Sequence, residues 1–172
     1  VDKLPLNLSS LPLILRIFPH ARFIVALRHP FDCILSNYMQ DFAMNPGMHF
    51  MVDLERAAWL YRAMFGLLEQ CREALDIEQQ LHFIRYEDLV TDFEPTVRRL
   101  LEFLGVDWDA SVSRYHEHAQ QRGTLGTPSY EGVTQELYRG SIGRWHHYAR
   151  HLEPTAPYLR TTAEHVGYSL DR

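Results

Sequence analysis

With 172 residues, 46% of them hydrophobic and 23% charged, the chain has the size and composition of one ordinary globular domain, which excludes a disordered segment. A formal charge of -5 excludes the broad basic footprint of a nucleic-acid binder. Two cysteines, Cys33 and Cys71, are too few for a disulfide framework and read as free buried thiols of a reducing compartment.

In chain order, residues Ser9 to Phe18 read as a short amphipathic helix that Pro19 cannot continue. Arg22 to Leu27 (RFIVAL) is β-branched, aromatic and apolar, a pattern that predicts a central strand buried on both faces. Pro30 suits the first turn of a following helix, Asp32 complements the positive end of its dipole, and the helix is expected to run to about Phe42. A Met-, Asn-, Pro- and Gly-containing loop spans Met44 to Met51.

Asp53 to Leu75 is the longest helical pattern, with Leu54, Ala58, Tyr61, Phe65 and Leu68 as its core stripe. Gln80 to Arg85 (QLHFIR) is the second strand. Thr91 to Leu104 is a helix stopped by Gly105, and the polar, Gly-rich stretch from Gln120 to Gln135 reads as loop. Helical stretches at Gly143 to Arg150 and Thr155 to Val166 close the chain.

Strands alternating with helices predict a single α/β layer domain with a parallel sheet. Two strands cannot cover the edges of such a sheet, and the chain begins with Val1 rather than methionine. The expectation is therefore the C-terminal portion of a larger domain, occupying residues 1 to 172. The apolar run from Leu11 to Phe18 is too short for a membrane span and carries Arg16, and no signal peptide is visible. Among the ten histidines, the adjacent His146 and His147 would point about 100° apart on a helix, so no metal site is expected.

Open parallel sheets bind ligands at the carboxyl ends of their strands. Arg28 and Tyr86 each follow a strand end, and Ser36 lies eight residues beyond Arg28, two turns into the next helix. An arginine fork and a serine hydroxyl suit a phosphate. Taken singly, each has a plainer account. Arg28 can form a salt bridge to Asp32 or Asp88, Ser36 can be solvated, and Tyr86 can cap the core. Trp145 reads as packing, and Arg144 as readily as a surface charge or a phosphate contact.

Four segments together carry a resemblance. "RHPFDCILSNY" (Arg28 to Tyr38) resembles the 3′-phosphate-binding segment of sulfotransferases, "DKLPLN" the lysine-bearing strand end and loop, and "FIRYEDL" the tyrosine-bearing strand end. "YRGSIGRWHHY" (Tyr138 to Tyr148) resembles the C-terminal Gly-x-Trp segment that closes over the nucleotide. The nearest types are the bacterial tetratricopeptide-linked and tyrosylprotein-like sulfotransferases.

The resemblance implies a P-loop-NTPase-like three-layer α/β fold, here N-terminally truncated. It also implies sulfuryl transfer from 3′-phosphoadenosine 5′-phosphosulfate (PAPS), without a metal, to a hydroxyl or amine of a protein, glycan or small molecule. Arg28 and Ser36 would hold the 3′-phosphate, Tyr86 the adenine region, and Arg139 and Gly140 the 3′-phosphate again. Tyr138 replaces one expected positive charge in that segment. Lys3 would stabilise the leaving group. The other partners expected are an acceptor of unknown kind, no nucleic acid and no membrane span, in the bacterial cytoplasm.

The family's Gly-rich phosphate loop is absent from the sequence, and Pro5 stands where cytosolic members carry a histidine base. The chain is accordingly expected to be inactive or very weak alone. A P-loop kinase would need a Walker-type loop and a Mg²⁺-holding acid, neither visible; a non-catalytic nucleotide-binding module is the third alternative.

Overall fold

A computed structural model describes residues 1–4, 6–40, 48–115 and 139–171 of the chain. The stretch from 120 to 135 and the first part of the Met-containing loop, 44–47, lie outside the described residues. The remainder of that loop, Met48–Val52, is a 3₁₀ turn.

Among the described residues two strands form the sheet, β1 (Phe23–Leu27) and β2 (Leu81–Arg85). They pair in parallel with Phe23 opposite Leu81 and Leu27 opposite Arg85, so Arg28 and Tyr86 leave the sheet side by side. The described part of the connection between them carries the helices α2 (Pro30–Tyr38) and α3 (Leu54–Leu75), preceded in the chain by α1 (Leu11–Ile17). After β2 come α4 (Tyr86–Thr91) and α5 (Phe93–Leu104). The chain ends with α6 (Ala149–Leu152) and α7 (Ala156–His165).

Local sequence explains most of these limits. Pro30 opens α2 where its missing N–H is no loss. Asp53 caps α3, its carboxylate accepting the Arg56 amide at 2.8 Å. Gly105 ends α5 in the left-handed conformation at φ 68°, and Val106 N–H closes back on Leu101 O at 2.9 Å. The helix expected from Thr91 to Leu104 starts instead at Phe93: Thr91 ends α4, and Asp92, at φ −141° and ψ 62°, separates α4 from α5. The helix expected to reach Phe42 ends at Tyr38.

The core lies between one face of the sheet and helices α2, α3 and α7. Ala58, Leu68, Leu152, Leu159 and Ala163 are 0% exposed within it, joined by Val25, Leu27, Phe31, Ile34 and Trp145. Burying a leucine in such a site contributes about 2–5 kcal/mol against its alanine variant.

The expectation of a strand buried on both faces is corrected here. Val25 and Leu27 face the core at 4% and 5% exposure, but Ile24 is 46% exposed and Ala26 is also open. α5 covers that second face only in part. Phe103 stacks on His82, whose ring lies 5.1 Å away, and its carbonyl accepts Arg22 Nη1 at 2.7 Å. No helix among the described residues is long and apolar enough to cross a membrane.

Candidate functional site

The parallel register delivers Arg28 and Tyr86 to the same end of the sheet. The Arg28 guanidinium carbon lies 4.8 Å from the centre of the Tyr86 ring, and Nη2 donates to Ser141 O at 2.8 Å. Among the described residues no carboxylate lies within salt-bridge distance of Arg28, and its buried Nε has no hydrogen-bond partner. A guanidinium held on one side, with a buried donor left over, fits an anionic ligand.

The two carboxylates that could have neutralised Arg28 are engaged or turned away. Asp32, 1% exposed, accepts Gly143 N–H on Oδ2 and Trp145 N–H on Oδ1, both at 2.8 Å. Asp88 is exposed on α4. A third, Glu87, accepts the His29 backbone N–H at 2.9 Å and the Tyr168 hydroxyl at 2.7 Å.

Ser36 lies one turn beyond Asp32 on the same face of α2, half-buried and without a side-chain hydrogen bond among the described residues. Arg139 and Gly140 belong to a single 3₁₀ turn, Arg139–Ser141, whose last residue meets Arg28. Arg139 Nη2 reaches Thr91 O at 3.3 Å, at the end of α4. Both residues are exposed. Gly143 follows in the left-handed region at φ 68°, turning the chain so that Trp145 enters the core.

Five of the six sequence-named residues thus fall on elements that meet at the carboxyl end of the sheet. Lys3 does not join them. It is exposed and lines an open cavity of about 970 Å³ with Phe18, Arg22, Phe23 and Ile24, at the amino end of β1.

Several residues that sequence reasoning passed over hold the site in shape. His29 Nε2 donates to Ser169 O at 2.9 Å, and its ring stacks on Trp145 at 5.0 Å with only 6° between planes. Arg85 Nη2 donates to Val166 O at 2.6 Å, and its guanidinium lies 4.5 Å from the Tyr168 ring. The C-terminal tail is therefore bolted to both strand ends. The one signal in the sequence was the charge-rich "RYED" at a strand end, which names Arg85 and Glu87 but not the tail they hold.

Burial pushes the Cys33 thiol up to about 11; the Arg28 charge opposes this shift, and Asp32 and Glu87 reinforce it. Burial also lifts Tyr61, whose hydroxyl has no hydrogen-bond partner among the described residues. Burial and the bond to Glu87 lift Tyr168. All three groups stay protonated at neutral pH.

In open α/β layers ligands bind at the carboxyl ends of the strands, which is where Arg28 and Tyr86 lie. The profile of the sulfotransferase family matches residues 1–110, and the chain belongs to that family. It is 31% identical over 161 residues to an uncharacterised protein of Aquifex aeolicus, covering 93% of this chain and 20% of that protein. It is 28% identical over 138 residues to protein-tyrosine sulfotransferase 1 of Danio rerio, covering 80% of this chain and 38% of the relative. The sulfotransferase domain from the curacin biosynthetic pathway superposes with a TM-score of 0.73 at 20% identity, over 99% of this chain and 63% of that one. The likeness shows a shared sulfotransferase fold. The chain spans well under half the length of the two curated relatives.

Proposed function

We propose that the chain forms the 3′-phosphate-binding side of a site for sulfuryl transfer from PAPS to a hydroxyl or amine of a protein, glycan or small molecule. The observation that carries this reading is Arg28. Its charge is unneutralised among the described residues, its orientation is set by Tyr86 and Ser141, and its Nε is buried without an acceptor.

Arg28 would give a planar fork to the phosphate oxygens and Ser36 a neutral donor. Tyr86 would offer its ring to the adenine region. Arg139 and the Gly140 backbone would close on the phosphate from the 139–141 turn. Bound PAPS supplies an activated sulfuryl group, and the chain's part is to position it and balance its charge rather than to form a covalent bond. Lys3 as the residue that steadies the leaving group rests on the resemblance alone.

The placement of Lys3 at the far end of β1 supports weak or absent turnover by this chain, and it favours a non-catalytic nucleotide-binding module as the second reading. Calorimetry with adenosine 3′,5′-bisphosphate tests the first claim: binding that is lost in Arg28→Ala supports it, and no binding by the parent chain overturns it. Sulfate transfer from labelled PAPS to a panel of acceptors separates the two readings, since robust turnover rules out the non-catalytic one.

A further inference from the structure

Asp32 occupies the third position of α2, where a carboxylate ordinarily serves the open amides of its own helix. Here it serves another part of the chain. Both oxygens are spent on backbone amides more than a hundred residues away, Gly143 and Trp145, each at 2.8 Å. A carboxylate 1% exposed and without a salt bridge among the described residues is costly unless its oxygens are hydrogen-bonded, and each of them takes one of these two amides.

The segment so anchored is the one that reaches Arg28. From Gly143 the chain leads back two residues to Ser141, whose carbonyl takes Arg28 Nη2 at 2.8 Å, and then to Gly140 and Arg139. On the other side Trp145 stacks against His29, the neighbour of Arg28. Asp32 therefore fixes a short strap at the point from which it turns the guanidinium.

We propose that Asp32 is a positioning residue for the Arg28 end: its carboxylate anchors the 139–145 strap, and through Ser141 the strap sets the Arg28 fork for a phosphate that Asp32 itself never touches. The inference rests on the nucleotide reading of Arg28 given above.

The test uses Asp32→Asn, which puts an amide NH₂ against at least one strap N–H. Hydrogen exchange without nucleotide reads the anchor: the Gly143 and Trp145 amides are expected to exchange at least about tenfold faster. Calorimetry with adenosine 3′,5′-bisphosphate reads the consequence, an affinity about tenfold lower. A double-mutant cycle then asks whether the effect passes through Arg28. In an Arg28→Lys background, where the fork is gone, Asp32→Asn is expected to change affinity by less than about twofold.

Strap amides that exchange at the parental rate overturn the anchor. An equal affinity loss in both backgrounds overturns the route through Arg28 and leaves Asp32 as a support of the fold at large. If the parent binds no bisphosphate, the nucleotide reading falls, and the ligand half of this inference falls with it while the exchange result stands. Should Asp32→Asn lose its cooperative melting transition, Asp32→Glu, which keeps the charge, is expected to move both readouts the same way by less.

Discussion

Glu87 and Tyr168 stand 81 residues apart in sequence, yet the tyrosine hydroxyl donates to Glu87 Oε2 at 2.7 Å. The other oxygen of Glu87 accepts the His29 amide, so one carboxylate joins both strand ends to the C-terminal tail. Tyr168→Phe removes a donor from a partly buried carboxylate and should cost about 1–3 kcal/mol. At about 2–4 °C per kcal/mol for a chain of this length, the melting temperature should fall by several degrees. Calorimetric melting checks this; an unchanged midpoint shows that water replaces the hydroxyl without loss.

Alkaline pH should loosen the same region. The Cys33 thiol is raised from 9.0 to about 11, and Tyr61 and Tyr168 are raised above 10.0. Groups that hold their protons more tightly when folded contribute stability that is full below their unfolded values. Stability should therefore hold below pH 9, decline as pH rises from 9.0 through about 11, and decline further as the tyrosines add their share above pH 10.0. Urea titrations at about pH 8, 9.5 and 11 follow the decline. Cys33→Ser should flatten its first part, and a parental profile flat to pH 11 would contradict the assignment.

The two arginines of the site should behave differently. Arg28 is partly buried and fixed by Tyr86 and Ser141, so Arg28→Ala should weaken adenosine 3′,5′-bisphosphate binding by about 10- to 100-fold. Arg139 is exposed, so Arg139→Gln should cost only about threefold, an effect that shrinks further in high salt. Equal losses at the two positions would place the dominant phosphate contact on the 139–141 turn instead.

The two faces of β1 predict opposite outcomes for similar changes. Val25→Ala, at 4% exposure, should cost about 1–3 kcal/mol, whereas Ile24→Ala, at 46%, should cost less than about 1 kcal/mol. Leu68→Ala, in the middle of α3, should exceed both at about 2–5 kcal/mol. Denaturant midpoints for the three variants give the ranking directly.

The elements that could be read from sequence were those whose cause is local. The Asp53 cap and the stripe of Ala58, Tyr61, Phe65 and Leu68 announce α3, and Gly105 announces the end of α5. The parallel sheet followed from strands separated by helical patterns, and the meeting of Arg28 and Tyr86 at one end of it followed from their places just after the two strands. The burial of β1 was misread because an all-apolar run does not say which face lacks a cover. The start of α5 at Phe93 has a signal in Pro95, which suits the first turn of a helix and would break one running on from Tyr86. For Asp32, sequence suggested helix-dipole service or a salt bridge to Arg28, because its true acceptor role depends on two amides that only the fold brings near.

The bond from Arg28 to Ser141 spans 113 residues, and the bond from His29 to Ser169 spans 140. Contacts across such loops repay their closure entropy only after most of the chain is already in place. The Arg28 end is therefore expected to take shape late in folding and to loosen when the C-terminal segment comes away. A polypeptide ending at Leu104 would contain both strand sequences, the α3 stripe, Arg28 and Tyr86, but would lose Trp145, Leu152, Leu159 and Ala163 from the core. It would also lack the 139–145 strap and the tail, and with them the Ser141 carbonyl that holds one side of the Arg28 guanidinium.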